Sequence, residues 1–523
     1  MSPIATPLHV QASHRSRRGP RALLVGALLI ASLSIASEAD AAVIASVRNG
    51  TLTVRGGDAS ERIALRGGGS GRLVVDVGDN GSADFTFRRN LFTKIVVNAG
   101  AGADRIRINE SRGVFTNTEA TTLNGQAGND VVLGGSAREV LRGGTEADTV
   151  DGNAGNDDVG LGAGSDTFVW NIGDGADDVR GDTGTDTVTV NGSVSADAIT
   201  VSPSATPGHL DVNGGLDISS TENLVVNGLG GNDTLSGGAL VGLIDLSLDG
   251  GAGDDALNGG NGNDSLTGGI GNDTVDGNQG IDVGLMGTGN DTFIWDPGDG
   301  SDVVEGGADQ DTLRFNGSAA AEVFTMSANG SRLAFARNIG NIAIDVDDVE
   351  TVTVNALGGV DSVTVNDLSA TDVGSVDVDL GVGGVGDTAV DSVTVNATNN
   401  ANAVRISGAS GGVTVLSPYL VVGIVDAEPA NDTLTVNAST GADVVSASTL
   451  ASTSVVLTLN GNTGDDVLRG SQGGDTINGD SGNDHISAGD GNDVIDGGAD
   501  TDTIDGGPGL DIATNGENVT NVP

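Results

Sequence analysis

The 523-residue chain has no cysteine, one lysine (Lys94) and one tyrosine (Tyr419), and its other aromatic residues are two Trp and nine Phe. Without cysteine there is no disulfide, no thiolate-bound zinc or iron–sulfur cluster, and no thiol nucleophile. So few rings exclude a core built on large aromatic side chains and leave thin layers of Val, Leu, Ile and Ala. Positive charge is also scarce, with 23 Lys and Arg against 72 Asp and Glu and a net charge of −49. That balance argues against nucleic acid as a partner, because phosphate binding needs a basic footprint. It argues equally against anionic membrane surfaces. The few cations are uneven, since residues 181–313 contain no Lys or Arg. Carboxylates without internal counter-charge over such a length repel one another unless something neutralises them. What the chain has in abundance is glycine, 87 residues of it, together with its acids.

Residues 1–41 read as a removable export signal. Arg15, Arg17, Arg18 and Arg21 form a positive start, residues 22–36 an apolar run, and Ala39 and Ala41 an A-x-A cleavage site. The run is shorter than the roughly 20 residues a membrane span needs. No other segment reaches that length, so the mature chain is expected to be exported, with the periplasm as the alternative destination. No Cys follows the run, which excludes a lipid anchor.

Self-similarity is the main feature. Nine-residue units carry an acid at the sixth place, in three blocks. In residues 125–192 the acids are Asp130, Glu139, Asp148, Asp157, Asp166, Asp177 and Asp186. In residues 250–317 they are Asp255, Asp264, Asp273, Asp282, Asp291, Asp302 and Asp311. In residues 461–514 they are Asp466, Asp475, Asp484, Asp493, Asp502 and Asp511. The first two blocks align without a gap, and Trp170 falls on Trp295. An aliphatic residue follows the acid by two places in nearly every unit, a phase that a disordered Gly/Asp tract does not show. The clearest units begin at Gly250-Gly251 with Gly253 and Asp255, at Gly259-Gly260 with Gly262 and Asp264, and at Gly268-Gly269 with Gly271 and Asp273.

These units resemble the RTX family of calcium-binding nonapeptides, G-G-x-G-x-D-x-U-x with U a large aliphatic. Calcium takes 6–8 oxygens, mixing carboxylates with backbone carbonyls. Glycines at places one, two and four would let the loop turn its carbonyls towards one ion, and the sixth-place acid would add a carboxylate. The resemblance implies an all-β fold, a right-handed parallel β-roll or β-helix solenoid in which two units make one coil. Equivalent loops would then stack every eighteen residues, with Asp255, Asp273, Asp291 and Asp311 on one edge and Asp264, Asp282 and Asp302 on the other. Leu257, Leu266, Val275, Phe293, Val304 and Leu313 would form the interior ladder. The expected metal residues also include Gly289 and Gly300 in block two, and Gly128, Gly155, Gly164 and Gly175 beside the Asp residues of block one. In block three they include Gly464, Gly482 and Gly491. Units that depart from the pattern weaken it locally: Ala137, Glu139 and Glu146 in block one, Gly284 and Asp309 in block two, and Pro508 and Ala513 at the end of block three. Several Ca2+ ions are the implied cofactor, and a chain that is loosened or unfolded without them is the implied behaviour.

The regions between blocks, residues 42–124, 193–249 and 318–460, show the Val/Thr/Ile alternation of strands. Within them Val97-Asn98, Val226-Asn227, Val354-Asn355 and Val436-Asn437 each precede an Asp by six residues (Asp104, Asp233, Asp361 and Asp443). The chain thus reads as about four tandem modules, each a β-rich segment joined to a calcium-type tract, with a degenerate tract around Asp387 and a short tail at 515–523. The β-rich segments are expected to continue the solenoid, with small sandwiches as the alternative. No catalytic constellation stands out. There is no H-E-x-x-H, and Gly408-Ala409-Ser410-Gly411-Gly412 matches G-x-S-x-G in a glycine-rich context without a strand–helix setting. His485 lies at an outward place of a nonapeptide. The expectation is a non-enzymatic calcium-binding repeat protein of cell surface or matrix, such as an adhesin or surface-layer component. The alternative is a protein that binds or modifies extracellular polysaccharide through the β-rich segments. Partners would be calcium ions and either cell-surface polysaccharide or further copies of the chain. RTX proteins commonly leave the cell through an uncleaved C-terminal signal, so an N-terminal one departs from that pattern.

Overall fold

The computed structural model describes residues 43–238, 240, 244–410 and 412–522. The expected export signal therefore lies outside the described residues. Among the described residues there are no α-helices, only strands and two short 3-10 turns, and no helix is long and apolar enough to cross a membrane.

The strands are short because the repeat is short. Many of the Val/Thr/Leu stretches, three to eight residues long, end at a glycine-bearing turn that carries the chain to the opposite sheet. Two long sheets result, the larger with 25 strands. Along a coil the chain alternates between them, so that strand Leu246–Ala252 pairs in parallel with Ser265–Ile270 and the intervening Ala256–Asn261 with Thr274–Gln279. In both pairings partners are eighteen residues apart, Leu248 on Leu266 and Leu257 on Val275. This is the two-sheet β-roll that the nine-residue phase implies.

Alternation turns one residue in two inward. Leu257, Leu266, Val275, Phe293, Val304 and Leu313 are all buried, as expected of the interior ladder. Gly284 interrupts that ladder for a steric reason: a Cβ there would lie 2.8 Å from the Phe293 ring, which fills its space. Phe115, Phe168 and Phe293 are buried among the aliphatic layers, and four further rings form a cluster. Trp295 stacks on Phe315 (4.1 Å between centroids), and Phe315 packs in turn on Phe324 and Phe335.

The β-rich segments continue the roll in a form the alternation alone does not give. Three antiparallel three-strand meanders are built into the sheets. The first is Ala198–Pro203, His209–Val212 and Leu216–Ser219, the second Val323–Asn329, Arg332–Arg337 and Ile342–Asp347, the third Ala403–Ala409, Gly412–Leu416 and Val421–Val425. In each, the third strand pairs in parallel with the preceding coil (Asp177–Gly184, Val303–Ala308 or Ser375–Asp379). The first strand pairs in parallel with the following coil (Thr234–Ser236, Ser362–Val365 or Val444–Leu450). The first and third meanders lie in one sheet and the second in the other. Strands Arg62–Gly67, Arg72–Val77 and Phe85–Arg88 form a fourth copy at the start of the roll. Phe85–Arg88 is an end strand there, so its inward Phe85 and Phe87 are half-buried where Leu216 and Ile218 of the first meander are fully covered. The four modules read from the Val-Asn pairs are these four meanders with the coils that follow them.

Candidate functional site

The sixth-place acids are inside the protein. Asp130, Asp148, Asp157, Asp166, Asp177, Asp186, Asp255, Asp264, Asp273, Asp282, Asp291, Asp302, Asp311, Asp466, Asp475, Asp484, Asp493 and Asp502 are all buried. A buried carboxylate needs donors, and the neighbouring coil supplies one. The backbone N–H of Asp255 donates to Asp273 Oδ1 (2.8 Å), that of Asp273 to Asp291 (2.7 Å) and that of Asp291 to Asp311 (2.8 Å). On the opposite edge Asp264 donates to Asp282 (2.7 Å) and Asp282 to Asp302 (2.9 Å). These are the two edges expected from eighteen-residue stacking. Block one forms the rows Asp130–Asp148–Asp166–Asp186 and Glu139–Asp157–Asp177, and block three Asp466–Asp484–Asp502 and Asp475–Asp493–Asp511.

Each row uses one carboxylate oxygen per residue. The other oxygen, Oδ2, is buried without a hydrogen-bond partner in most of these residues, including Asp130, Asp148, Asp157, Asp255, Asp264, Asp273, Asp282, Asp466, Asp484 and Asp493. Burial drives their pKa values upward, to about 8 at Asp157 and Asp282 and about 7 at Asp148. Asp264, Asp273 and Asp466 rise to about 6 from the same cause. A row of half-satisfied buried carboxylates has unmet demand for positive charge.

The three glycines of the motif do two different jobs. In the three units from Gly250 to Asp276 those at places two and four take left-handed backbone, as at Gly251 (φ +97°) and Gly253 (φ +143°). A Cβ at either would fall within 2.4 Å of a backbone carbonyl of the preceding coil, that of Leu229 or Gly231. Gly128, Gly155, Gly164, Gly175, Gly262, Gly271, Gly289, Gly300, Gly464, Gly482 and Gly491 likewise sit against carbonyl oxygens of the coil before. The loops therefore stack columns of carbonyls along both edges. The first-place glycine does not turn the chain, contrary to the expectation of positive φ at all three. At Gly250, Gly259 and Gly268 a Cβ would lie 2.5 Å from Oδ2 of the unit's own Asp255, Asp264 or Asp273. That glycine makes room for the carboxylate.

Units that depart from the motif keep its geometry. Glu139 is fully buried in its row, with Oε2 accepting the Gly135 N–H at 2.8 Å. Glu146 and Asp309 hold the left-handed backbone of the glycines they replace (φ +71° and +87°). The rows also run on through the β-rich segments. Asp104 precedes Asp130, Asp233 precedes Asp255, and Asp443 precedes Asp466, each by the same N–H to Oδ1 bond. Asp361, Asp391 and Asp432 form a further row. Asp391 and Asp432 are missed by sequence reasoning. So are the residues that open rows at the meanders (Glu61, Asp197, Glu322 and Asn402) and those that close them. Glu222, Glu350 and Glu517 close rows by accepting the N–H of Asp186, Asp311 and Asp502 through Oε2. The usable signal for these three was a Glu placed immediately before the next strand.

Three other features lie apart from the rows. Asp347, Asp348 and Asp372 bring carboxylate oxygens within 4.8 Å of one another on the surface. Ser410 lies in the turn of the hairpin that joins Ala403–Ala409 to Gly412–Leu416, a strand-to-strand connection rather than a nucleophile elbow. His209 Nδ1 and Asp217 Oδ1 are 2.7 Å apart across adjacent meander strands.

Comparison with known protein families gives one result. The model of the RTX calcium-binding nonapeptide repeat (four copies) matches residues 116–137, 133–168, 225–239, 249–283, 298–317, 458–486 and 478–513. The match at 225–239 lies between the blocks, where Asp233 extends a row. No curated protein matches the chain significantly.

Proposed function

We propose, from the premise that the chain carries RTX calcium-binding nonapeptide repeats in several copies, that it is an exported structural protein of cell surface or matrix whose roll is completed by calcium. The observation that carries this reading is the set of unpartnered Oδ2 atoms along the edges. At Gly250, Gly259 and Gly268 the point a Cβ would occupy lies 2.5 Å from such an Oδ2 and 2.5–2.8 Å from a backbone carbonyl of the following coil. Carboxylate and carbonyl oxygens drawn from two successive loops are the donor set calcium takes. The ligands would be the sixth-place acids with the carbonyls of places two and four, most completely in residues 250–276, where the motif is unbroken.

Magnitude supports a folding role rather than incidental binding. At calcium tenfold above Kd each site adds about 1.4 kcal/mol to the folded state. About ten sites then add roughly the stability of an ordinary domain. An exported protein meets far more free calcium than one in the cytoplasm, so such a chain would fold after export rather than before it. Isothermal calorimetry of the chelator-stripped protein tests the reading: multiple calcium equivalents should bind with proton release. Binding of one equivalent or none would overturn it.

A further inference from the structure

The roll begins with a face unlike the rest of the molecule. Of the twelve Arg and Lys side chains in residues 43–522 that form no ion pair with a described residue, nine lie before residue 139. Three of them share one surface. Strands Ile44–Arg48, Thr51–Arg55 and Lys94–Ala101 are adjacent in one sheet, with Arg48 opposite Thr51 and Thr51 opposite Lys94. Inward places hold Leu52, Val54, Ile95 and Val97 in the core. The outward places are therefore Ile44, Ser46 and Arg48, then Thr51, Thr53 and Arg55, then Lys94, Val96 and Asn98.

Arg48 and Lys94 lie two strands apart, about 10 Å, and Arg55 about 13 Å along the strand from their row. Ile44, Ser46, Arg48, Thr53 and Arg55 line an open groove across this surface. None of these three strands, nor the next, Ala120–Ala127, contains an Asp or Glu. The first outward carboxylate along the sheet, Asp158, is already held by Arg142 and Arg180. In a chain with 72 acids this strip is a local reversal of sign.

We infer that this face binds a linear acidic polysaccharide. Arginine forks match carboxylate or sulfate groups in two-point hydrogen bonds. The Ser, Thr and Asn side chains between them present donors and acceptors for sugar hydroxyls. A flat, open sheet face of regularly spaced strands suits an extended chain better than a small enclosed ligand. A lipid surface fits less well, because Ile44 is the one strongly exposed apolar side chain on these strands and interfacial binding needs buried apolar area. Single-stranded nucleic acid fits less well, because none of the three strands carries an aromatic side chain on which a base could stack. The net acidity of the chain does not prevent anion binding at this face, because screening at physiological salt confines such fields to about 8 Å. The inference rests on the fold and on these side chains, not on calcium occupancy.

The test is binding of the calcium-loaded protein to hyaluronan, a linear uronate polymer, with neutral dextran and phosphatidylglycerol vesicles in parallel. Hyaluronan should bind, dextran and vesicles should not, and affinity should fall as salt rises. The triple variant R48E/R55E/K94E should weaken binding by about tenfold or more, while R469E, in the acidic third block, leaves it unchanged. The neutral variant R48Q/R55Q/K94Q should also weaken binding, and it serves if charge reversal prevents folding as judged by circular dichroism. Equal binding by parent and neutral variant would overturn the inference, since the polymer would then be bridged through calcium to the acidic loops. Tighter binding to vesicles than to hyaluronan, or none to hyaluronan, would overturn it as well.

Discussion

At the scale of the residue, the motif is a division of labour that the sequence shows only in part. Phase, edges and interior ladder are all legible, because a nine-residue period fixes which residues stack. The role of the first glycine is not, because its cause is the unit's own Asp folding back beneath the loop. The left-handed places are likewise set by stacking rather than by glycine, so Leu229 and Leu357 occupy them at φ +76° and +68°. Leu357→Gly should therefore be neutral to stabilising, by up to about 1 kcal/mol, as read from urea unfolding in calcium. Gly284→Val should instead destabilise by about 1–3 kcal/mol, because its side chain must displace the Phe293 ring. Asp273→Asn separates the two functions of a row residue. The amide oxygen still accepts the Asp255 N–H, but the charge is gone. Calorimetry should show fewer calcium ions bound, while the metal-free form gains rather than loses structure.

At the scale of the element, the β-rich segments were legible as strands and as four modules, but their antiparallel meanders were not. Val/Thr alternation states that a strand has one buried face and is silent on its partner. The partner is set by the rows, which a meander interrupts and restarts. Glu322 opens a row beside the Arg337 guanidinium with which it is paired, and Glu350 closes another on the N–H of Asp311. Glu350→Ala should leave that N–H unmet in a buried setting and cost about 1–3 kcal/mol. Glu350→Gln keeps the acceptor and should cost much less. Thermal unfolding in excess calcium distinguishes the two.

At the scale of the whole molecule, a net charge of −49 is a fold held short of its counter-ions. Burial holds Asp157, Asp282 and many of their neighbours at pKa values of about 6 to 8, above the ordinary 3.8. The folded metal-free chain thus binds more protons than the unfolded one, so its stability falls as pH rises from 4 through 8. Protons and calcium compete for the same oxygens, and calcium affinity should therefore rise with pH over that window, with proton uptake on chelation. The account's central claim is that calcium completes the roll. Far-ultraviolet circular dichroism at pH 8 tests it most directly, recorded on the protein in excess chelator and then through a calcium titration. The account predicts a largely disordered spectrum that converts cooperatively to β structure as calcium is added; a full β spectrum in chelator, unchanged by calcium, would contradict it.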